Sequence, residues 1–282
     1  MIKTNSELPL TMLKDYNIAL NQYDFVLFHL IQQYKEYEDY FNRLRLSNPE
    51  RLMILDNSAY EFYVKNEKLD LDEFEATIVD LMPDYFILPD VLMNLDATIK
   101  GTEKFLKEHD EALKVSKPLG VLQGNSYEDF DTCLQFYKDH NIEAIAIPFH
   151  NSFFKEKIGN NLEYSGIEYL FLQRYGYINE DIRYAIGRCM WVYQNKEKLD
   201  KIPYVHLLGS HCPYEKVVHE RMYAHIDSMD TGYPVKCAIE GEILYKEDKK
   251  PNIIIDDFMT KEIHQDIKNL IRLNIMRFAS GL

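Results

Sequence analysis

Arg51-Leu52-Met53-Ile54-Leu55-Asp56-Asn57-Ser58-Ala59-Tyr60 and Tyr85-Phe86-Ile87-Leu88-Pro89-Asp90 together decide the fold. Each is an apolar run of strand length that stops on an acid. Between them, Asp70 to Met82 carries Leu71, Phe74, Ile78 and Leu81 at helical spacing. Strand, helix, strand is the unit of a parallel sheet. The runs are apolar almost throughout rather than alternating, which is the pattern of strands covered on both faces.

The unit recurs in both directions along the chain. Upstream, Asp24 to Ile31 is a buried-strand candidate followed by a charged, aromatic helix. Downstream, Ala97 to Leu113 suits a helix, and Pro118-Leu119-Gly120-Val121-Leu122-Gln123-Gly124 is a strand ending on an amide and a glycine. Ser126 with Asp129 forms a capping-box start to a helix striped by Phe130, Leu134 and Tyr137. Ile142 to Pro148 reads as a strand, 162–200 as mainly helical, and Tyr204 to Gly209 as a strand with a short helix from Pro213. The strands at 25–31, 51–55, 85–89, 119–123, 143–148, 203–208 and 224–228 number seven, and a short piece near 236–240 is the candidate eighth. The expectation is an α/β fold, a (β/α)8 barrel in one domain over 1–282, closed by a C-terminal helix at 260–280. Its apolar face is Ile263, Ile267, Leu270, Ile271 and Ile275. The chain's 282 residues suit such a barrel, which takes about 250. No GxGxxG or P-loop argues for the open, doubly wound alternative.

Composition narrows the function classes. No apolar run approaches the roughly 20 residues of a membrane span, and residues 1–7 lack the form of a signal peptide, so a cytoplasmic setting is expected. The four cysteines, Cys133, Cys189, Cys212 and Cys237, stand far apart and read as separate free thiols, not a zinc cluster. The net charge of −14 argues against general polyanion binding, though it leaves room for a local basic strip.

Barrel active sites sit at strand C-termini. Asp56, Asp90, Gln123, Asp227 and Asp230 are the polar residues at such ends. Each alone is what a helix cap or turn supplies; together they suggest chemistry. In His225-Ile226-Asp227-Ser228-Met229-Asp230-Thr231-Gly232-Tyr233-Pro234-Val235-Lys236, a short strand runs into a Gly/Pro turn with two carboxylates where it stops. His150, His206 and His211 show no ligand spacing such as HxH, so no metal and no cofactor is expected.

These residues resemble the tRNA-guanine transglycosylases, which exchange a guanine in RNA for a 7-deazaguanine. The likeness runs in order over 51–282. Leu55-Asp56-Asn57-Ser58-Ala59-Tyr60-Glu61 is similar to the family's DSGGFQ segment, Pro89-Asp90 to the acid that reads the base edge, and Gly120-Val121-Leu122-Gln123-Gly124 to GxVQG. Ala146-Ile147-Pro148-Phe149-His150 falls where the family has GGLAVGE. Leu207-Leu208-Gly209-Ser210 resembles LMGVG, and Asp227 to Lys236 resembles DMFDCVLPTR.

The resemblance implies Asp230 as nucleophile and Asp56 as general acid and base. It also implies base binding by Asp90, Gln123, Gly124, Tyr60, Pro148, Phe149, Leu208 and Gly209, and nucleic-acid contact by Lys236. Tyr60 and Leu208 would sandwich the ring, and Gln123 with the Pro148–Phe149 backbone would hold the far edge. Asp227 is expected to be structural. Lys246, Lys249, Lys250, Lys268, Arg272 and Arg277 are candidates for a backbone track.

The departures shape the expected substrate. The family's CxCxxC-plus-histidine zinc site is absent, and the chain is shorter than the bacterial members that act on tRNA. Short zinc-free members resemble phage-type enzymes that place 7-deazaguanines in DNA, in the cytoplasm of the host cell. Asn151-Ser152 stand where the GGLAVGE glutamate would be, which hints at a nitrile-bearing base such as preQ0. The expected partners are therefore DNA with a flipped guanine and a free 7-deazaguanine base, with tRNA less favoured, no membrane, and homo-oligomerisation left open. The rival readings are exchange on tRNA, a base-releasing hydrolase, a non-catalytic binding partner of a transglycosylase, and an unrelated barrel lyase.

Overall fold

The computed structural model describes residues 1–156, 165–244, 253 and 256–281. Among them, eight strands form one sheet: β1 Lys3–Ser6, β2 Asp24–Leu27, β3 Met53–Asp56, β4 Tyr85–Ile87, β5 Lys117–Val121, β6 Ala144–Pro148, β7 Tyr204–Leu208 and β8 Ser228–Thr231. Their order, β1-β8-β7-β6-β5-β4-β3-β2, is monotonic around the sheet, and the pairings seen between them are parallel. A doubly wound sheet would reverse its order at a switch point; this one does not. With helices following each strand, the fold is a (β/α)8 barrel, as the sequence predicts. No helix among the described residues is long and apolar enough to cross a membrane.

Three strand assignments differ from the sequence reading. The eighth strand is β1, not 236–240, which lies largely in the helix Tyr233–Ile239. β1 is Lys-Thr-Asn-Ser, so it lacks the apolar run that marks a strand. Side chains support it instead: the Thr4 and Ser6 N–H groups donate to Gln22 Oε1 and Asn21 Oδ1, both at 2.8 Å. The 233–239 segment is apolar enough to read as a strand, but Pro234 in its first turn favours a helix start. Phe28–Gln33 is a helix although Phe28 to Ile31 continue the apolar run of β2; pairing with β3 ends at Leu27. β8 begins at Ser228, later than 224, which places Asp227 before the strand and Asp230 inside it.

By its contacts the chain divides into two compact units, Tyr23–Ala146 and Met1–Gln22 with Ile147–Leu282. In the first, an aromatic series fills the core: Phe28 meets Phe74 at 5.0 Å, and Phe86 meets Phe105 at 5.7 Å between ring centroids. The helix Tyr127–Asp139 is capped as expected, with Ser126 Oγ accepting from Asp129 N–H at 3.0 Å. Gly120 lies against Tyr137, whose hydroxyl donates to Val121 O at 2.8 Å; a Cβ on Gly120 would stand 2.5 Å from that ring.

The second unit is organised by the helix Glu180–Gln194, whose Ile182, Ala185, Ile186, Cys189 and Met190 pack with Phe149, Phe171, Tyr214 and Val218. Its C-terminal helix, Gln265–Ser280, buries Ile271, Ile275 and Phe278. Asn274 in that helix donates to Pro234 O and Glu242 O and accepts from Leu244 N–H. All four cysteines are buried free thiols.

Candidate active site

In the unit Tyr23–Ala146, the C-terminal ends of β3, β4 and β5 carry a connected polar cluster. Asp56 closes β3, and its Oδ2 accepts the Ser58 N–H at 2.9 Å. Ser58 sits in the left-handed region (φ 58°) and ends up fully buried, its Oγ accepting the His29 N–H and meeting His29 Nδ1 at 2.9 Å. Asn57 donates through Nδ2 to both Leu88 O and Asp90 Oδ1, at 2.7 and 2.8 Å. Gln123 Nε2 donates to Asp90 Oδ2 at 2.7 Å, while its Oε1 accepts the Met93 N–H.

Asp90 is thus held by one amide donor on each oxygen. The protein packed around it pushes its carboxyl above the usual range, against the lowering pull of those two bonds. Gly124, next to Gln123, has a φ of 145°, and a Cβ there would stand 2.2 Å from Asp129 Cβ. Tyr60 is 56% exposed on the first turn after Asp56, so its ring is open to stacking.

In the unit containing β7 and β8, Asp230 is the centre of a second cluster. Its Oδ1 accepts from His206 Nε2 and from Gly209 N–H, both at 2.9 Å. Oδ2 takes no hydrogen bond among the described residues. His206 is fully buried, and its Nδ1 meets Ser228 Oγ at 2.7 Å; Ser228 in turn bonds the Tyr204 hydroxyl. The tautomer that carries its proton on Nε2 donates to Asp230 and lets Ser228 donate to Nδ1 and Tyr204 to Ser228. Strand alternation places all four on one face of β7–β8. Asp227 acts on the backbone instead, its Oδ2 accepting the Val205 N–H at 2.8 Å.

Arg188 straps the strand ends together from the fully buried face of its helix. It donates to Ile147 O, Leu208 O and Gly209 O, and grips Glu215 through Nε and Nη2 at 2.6 and 2.8 Å. Burial works to raise the Glu215 carboxyl, yet the Arg188 charge and hydrogen bonds, with His219, hold it at about 2.

Pro148 is buried at the end of β6. Phe149 lies in the apolar core with the Arg188 guanidinium 4.9 Å from its ring centroid, and its N–H donates to Leu208 O. Leu208 and Gly209 are partly exposed, but both backbone groups of Gly209 are engaged, by Asp230 and Arg188. Lys236 is half-buried in Tyr233–Ile239.

Two of the candidate track residues have internal roles. Arg277 donates to Leu244 O, and Arg272 lies 5.4 Å from the centre of the Tyr16 ring. Lys246, Lys249 and Lys250 lie outside the described residues.

The sequence reading did not assign roles to Asn57, His206, Ser228 or Arg188. Faint signals existed: His206 and Tyr204 alternate with apolar residues in β7, and Arg188 interrupts an apolar helix run. The fold also gathers His150, Asp181 and His211, and separately Cys189, Glu215 and His219, into groups of metal-ligand type. Matched against known protein-family models and curated proteins, the sequence finds no counterpart in either.

Proposed function

We propose that this protein is a base-exchange transglycosylase that replaces guanine in DNA with a 7-deazaguanine through a covalent aspartyl-glycosyl intermediate. One observation carries the reading. Asp230 Oδ1 is pinned by two donors, while Oδ2 is left without a hydrogen bond among the described residues. A carboxylate fixed by one oxygen presents the other as an oriented nucleophile.

Exchange at C1′ with retained configuration requires two displacements, the logic of retaining glycosidases with a nitrogen base in place of water. Asp230 Oδ2 attacks C1′ as the C1′–N9 bond breaks. Asp56 gives a proton to the departing guanine. The incoming 7-deazaguanine then loses its N9 proton to Asp56 and attacks C1′, and the Asp230–C1′ bond breaks. Asp56, Asp90 and Asp230 each stand at or just past the C-terminal end of a parallel strand, where barrel enzymes carry their reacting groups.

Asp90, with an amide on each oxygen, retains lone pairs for the N1–H and 2-amino donors of a guanine-type base. Gln123 positions Asp90 in this reading as well as facing the base. Tyr60 stacks on the base, with Leu208 on the other face. The Phe149 N–H is already given to Leu208 O, so the O6 edge of the base, which offers only acceptors, falls to the second Nε2 hydrogen of Gln123.

The deciding experiment incubates the protein with a labelled nitrile-bearing 7-deazaguanine such as preQ0, in parallel with guanine-containing DNA and with tRNA. Label entering DNA, and none with Asp230→Asn, supports the reading. Label entering tRNA alone moves the substrate to tRNA, and guanine release without incorporation makes the protein a hydrolase. Normal exchange by Asp230→Asn removes the nucleophile assignment.

A further inference from the structure

We propose that His150, Asp181 and His211 bind a divalent first-row transition ion of zinc type, with a coordination position left open for water or an anionic oxygen. His150 follows β6, His211 follows β7, and Asp181 stands in the first turn of Glu180–Gln194. His211 Nδ1 is 3.4 Å from Asp181 Oδ1, and His150 Nε2 is 4.0 Å from the same oxygen. One ligand atom from each residue lies within 4.8 Å of the other two.

Donors bound tetrahedrally at about 2.0–2.2 Å stand roughly 3.3 to 3.6 Å from one another. The His211–Asp181 edge of 3.4 Å has that spacing, and the His150–Asp181 edge of 4.0 Å reaches it with a small shift of the exposed His150 side chain. The 4.0 Å edge is too long for a hydrogen bond. A shared ion would draw both histidines to the one carboxylate oxygen, where their rings already meet edge-on at 4.8 Å.

The rings are held by aromatic neighbours. His211 stacks on Tyr233 at 5.2 Å with an interplanar angle of 20°. His150 meets the rings of Phe149 and Tyr184 at 4.9 and 5.0 Å, near perpendicular to each. Such support around the ligands fixes their orientation. Two imidazoles and a carboxylate suit zinc and its first-row neighbours rather than calcium or magnesium, and three protein ligands leave room for a fourth.

The group is reachable, because the His150 side chain is 44% exposed. The alternative group, Cys189, Glu215 and His219, is wholly buried. There Glu215 is committed to Arg188, and burial holds the Cys189 thiol well above its usual range. On a chain of net charge −14, an ion at the first group would be a fixed positive centre for an oxyanion.

The test uses the full chain stripped with a chelator and dialysed. Zn²⁺ is titrated against a chromophoric chelator, and Co²⁺ binding is read from its visible spectrum. The expected result is one ion per chain, a Co²⁺ spectrum without a thiolate charge-transfer band, and unchanged binding in Cys189→Ser. His211→Ala and Asp181→Asn should each weaken binding by more than the roughly 10–100-fold cost of losing an outer-shell partner. His150→Gln alters an exposed side chain and keeps the test valid if Asp181→Asn misfolds; it too should weaken binding. Absence of stoichiometric binding, binding that survives the histidine variants, or a thiolate band would overturn the site.

Discussion

His206 Nε2 stands 2.9 Å from Asp230 Oδ1, and the other nitrogen of the same buried ring stands 2.7 Å from Ser228 Oγ. β7 and β8 pair His206 directly with Ser228, so the relay is built into the sheet register. His206→Ala removes the donor that orients Asp230. On the proposed function, its expected effect on single-turnover base exchange is a loss on the order of 100-fold, the cost of a misplaced reacting group. The buried Ser228 hydroxyl keeps Tyr204 but loses one of its two partners, which should also cost about 1 kcal/mol of stability, measured by urea unfolding. His206→Gln, with an amide donor, should recover part of the rate. Equal rates for both variants would show that the histidine is only structural.

Asp90 gives a prediction with a pH sign. Its packed surroundings raise its carboxyl above the ordinary range. On the proposed function the ionised form accepts from a guanine-type base, so base binding should be lost as pH falls through that raised value, at a higher pH than an ordinary aspartate would give. Calorimetric titration of the free 7-deazaguanine across pH measures this. Asp90→Asn should flatten the profile. It should also weaken binding by about 1.5–3 kcal/mol for each charge-assisted bond lost. A profile in Asp90→Asn that matches the parent would assign the pH dependence to another group.

The fold was legible where burial and apolarity coincide, and illegible where they part. β3 to β7 announce themselves as apolar runs. β1 does not, because Thr4, Asn5 and Ser6 are buried while polar. Their neighbours in the fold make that tolerable, and no local pattern encodes those neighbours. The acids at 56, 90 and 230 were visible because strand ends are visible. Asn57 bridging to Asp90, His206 reaching Asp230 and Arg188 gathering three carbonyls are contacts between residues far apart in sequence. The same holds for His150, Asp181 and His211, whose spacing resembles no metal motif until the loops after β6 and β7 meet the helix Glu180–Gln194.

Gly187 tests how tightly that helix is seated. A Cβ there would stand 2.1 Å from the backbone oxygen of Phe154 and 2.6 Å from its carbonyl carbon. Backbone cannot rotate away as a side chain can, so the helix itself must shift. Gly187→Ala should therefore destabilise the protein by at least the ~1–3 kcal/mol typical of overpacking, despite alanine's better helix propensity. Thermal unfolding measures it. A neutral or stabilising outcome would mean that the helix Glu180–Gln194 does not approach Phe154 this closely.

Removing the partner of Arg188 should be costly in a pH-dependent way. Glu215→Gln leaves a buried guanidinium without its counter-charge, a loss of roughly 3–5 kcal/mol. The Glu215 carboxyl is held at about 2 in the folded protein, below its ordinary value of 4.5. A depressed carboxyl contributes stability that is fully present above its unfolded value and disappears as pH falls through its folded one. The stability difference between the parent and Glu215→Gln should therefore be constant near neutrality, begin to shrink below about 4.5, and be smallest near pH 2. Urea unfolding of both proteins at stepped pH reads the difference, with the protein's other acids cancelling between them. A gap that stays constant down to pH 2 would mean that charge pairing with Arg188 is not what holds Glu215, and that the strap across Ile147, Leu208 and Gly209 rests on hydrogen-bond geometry alone.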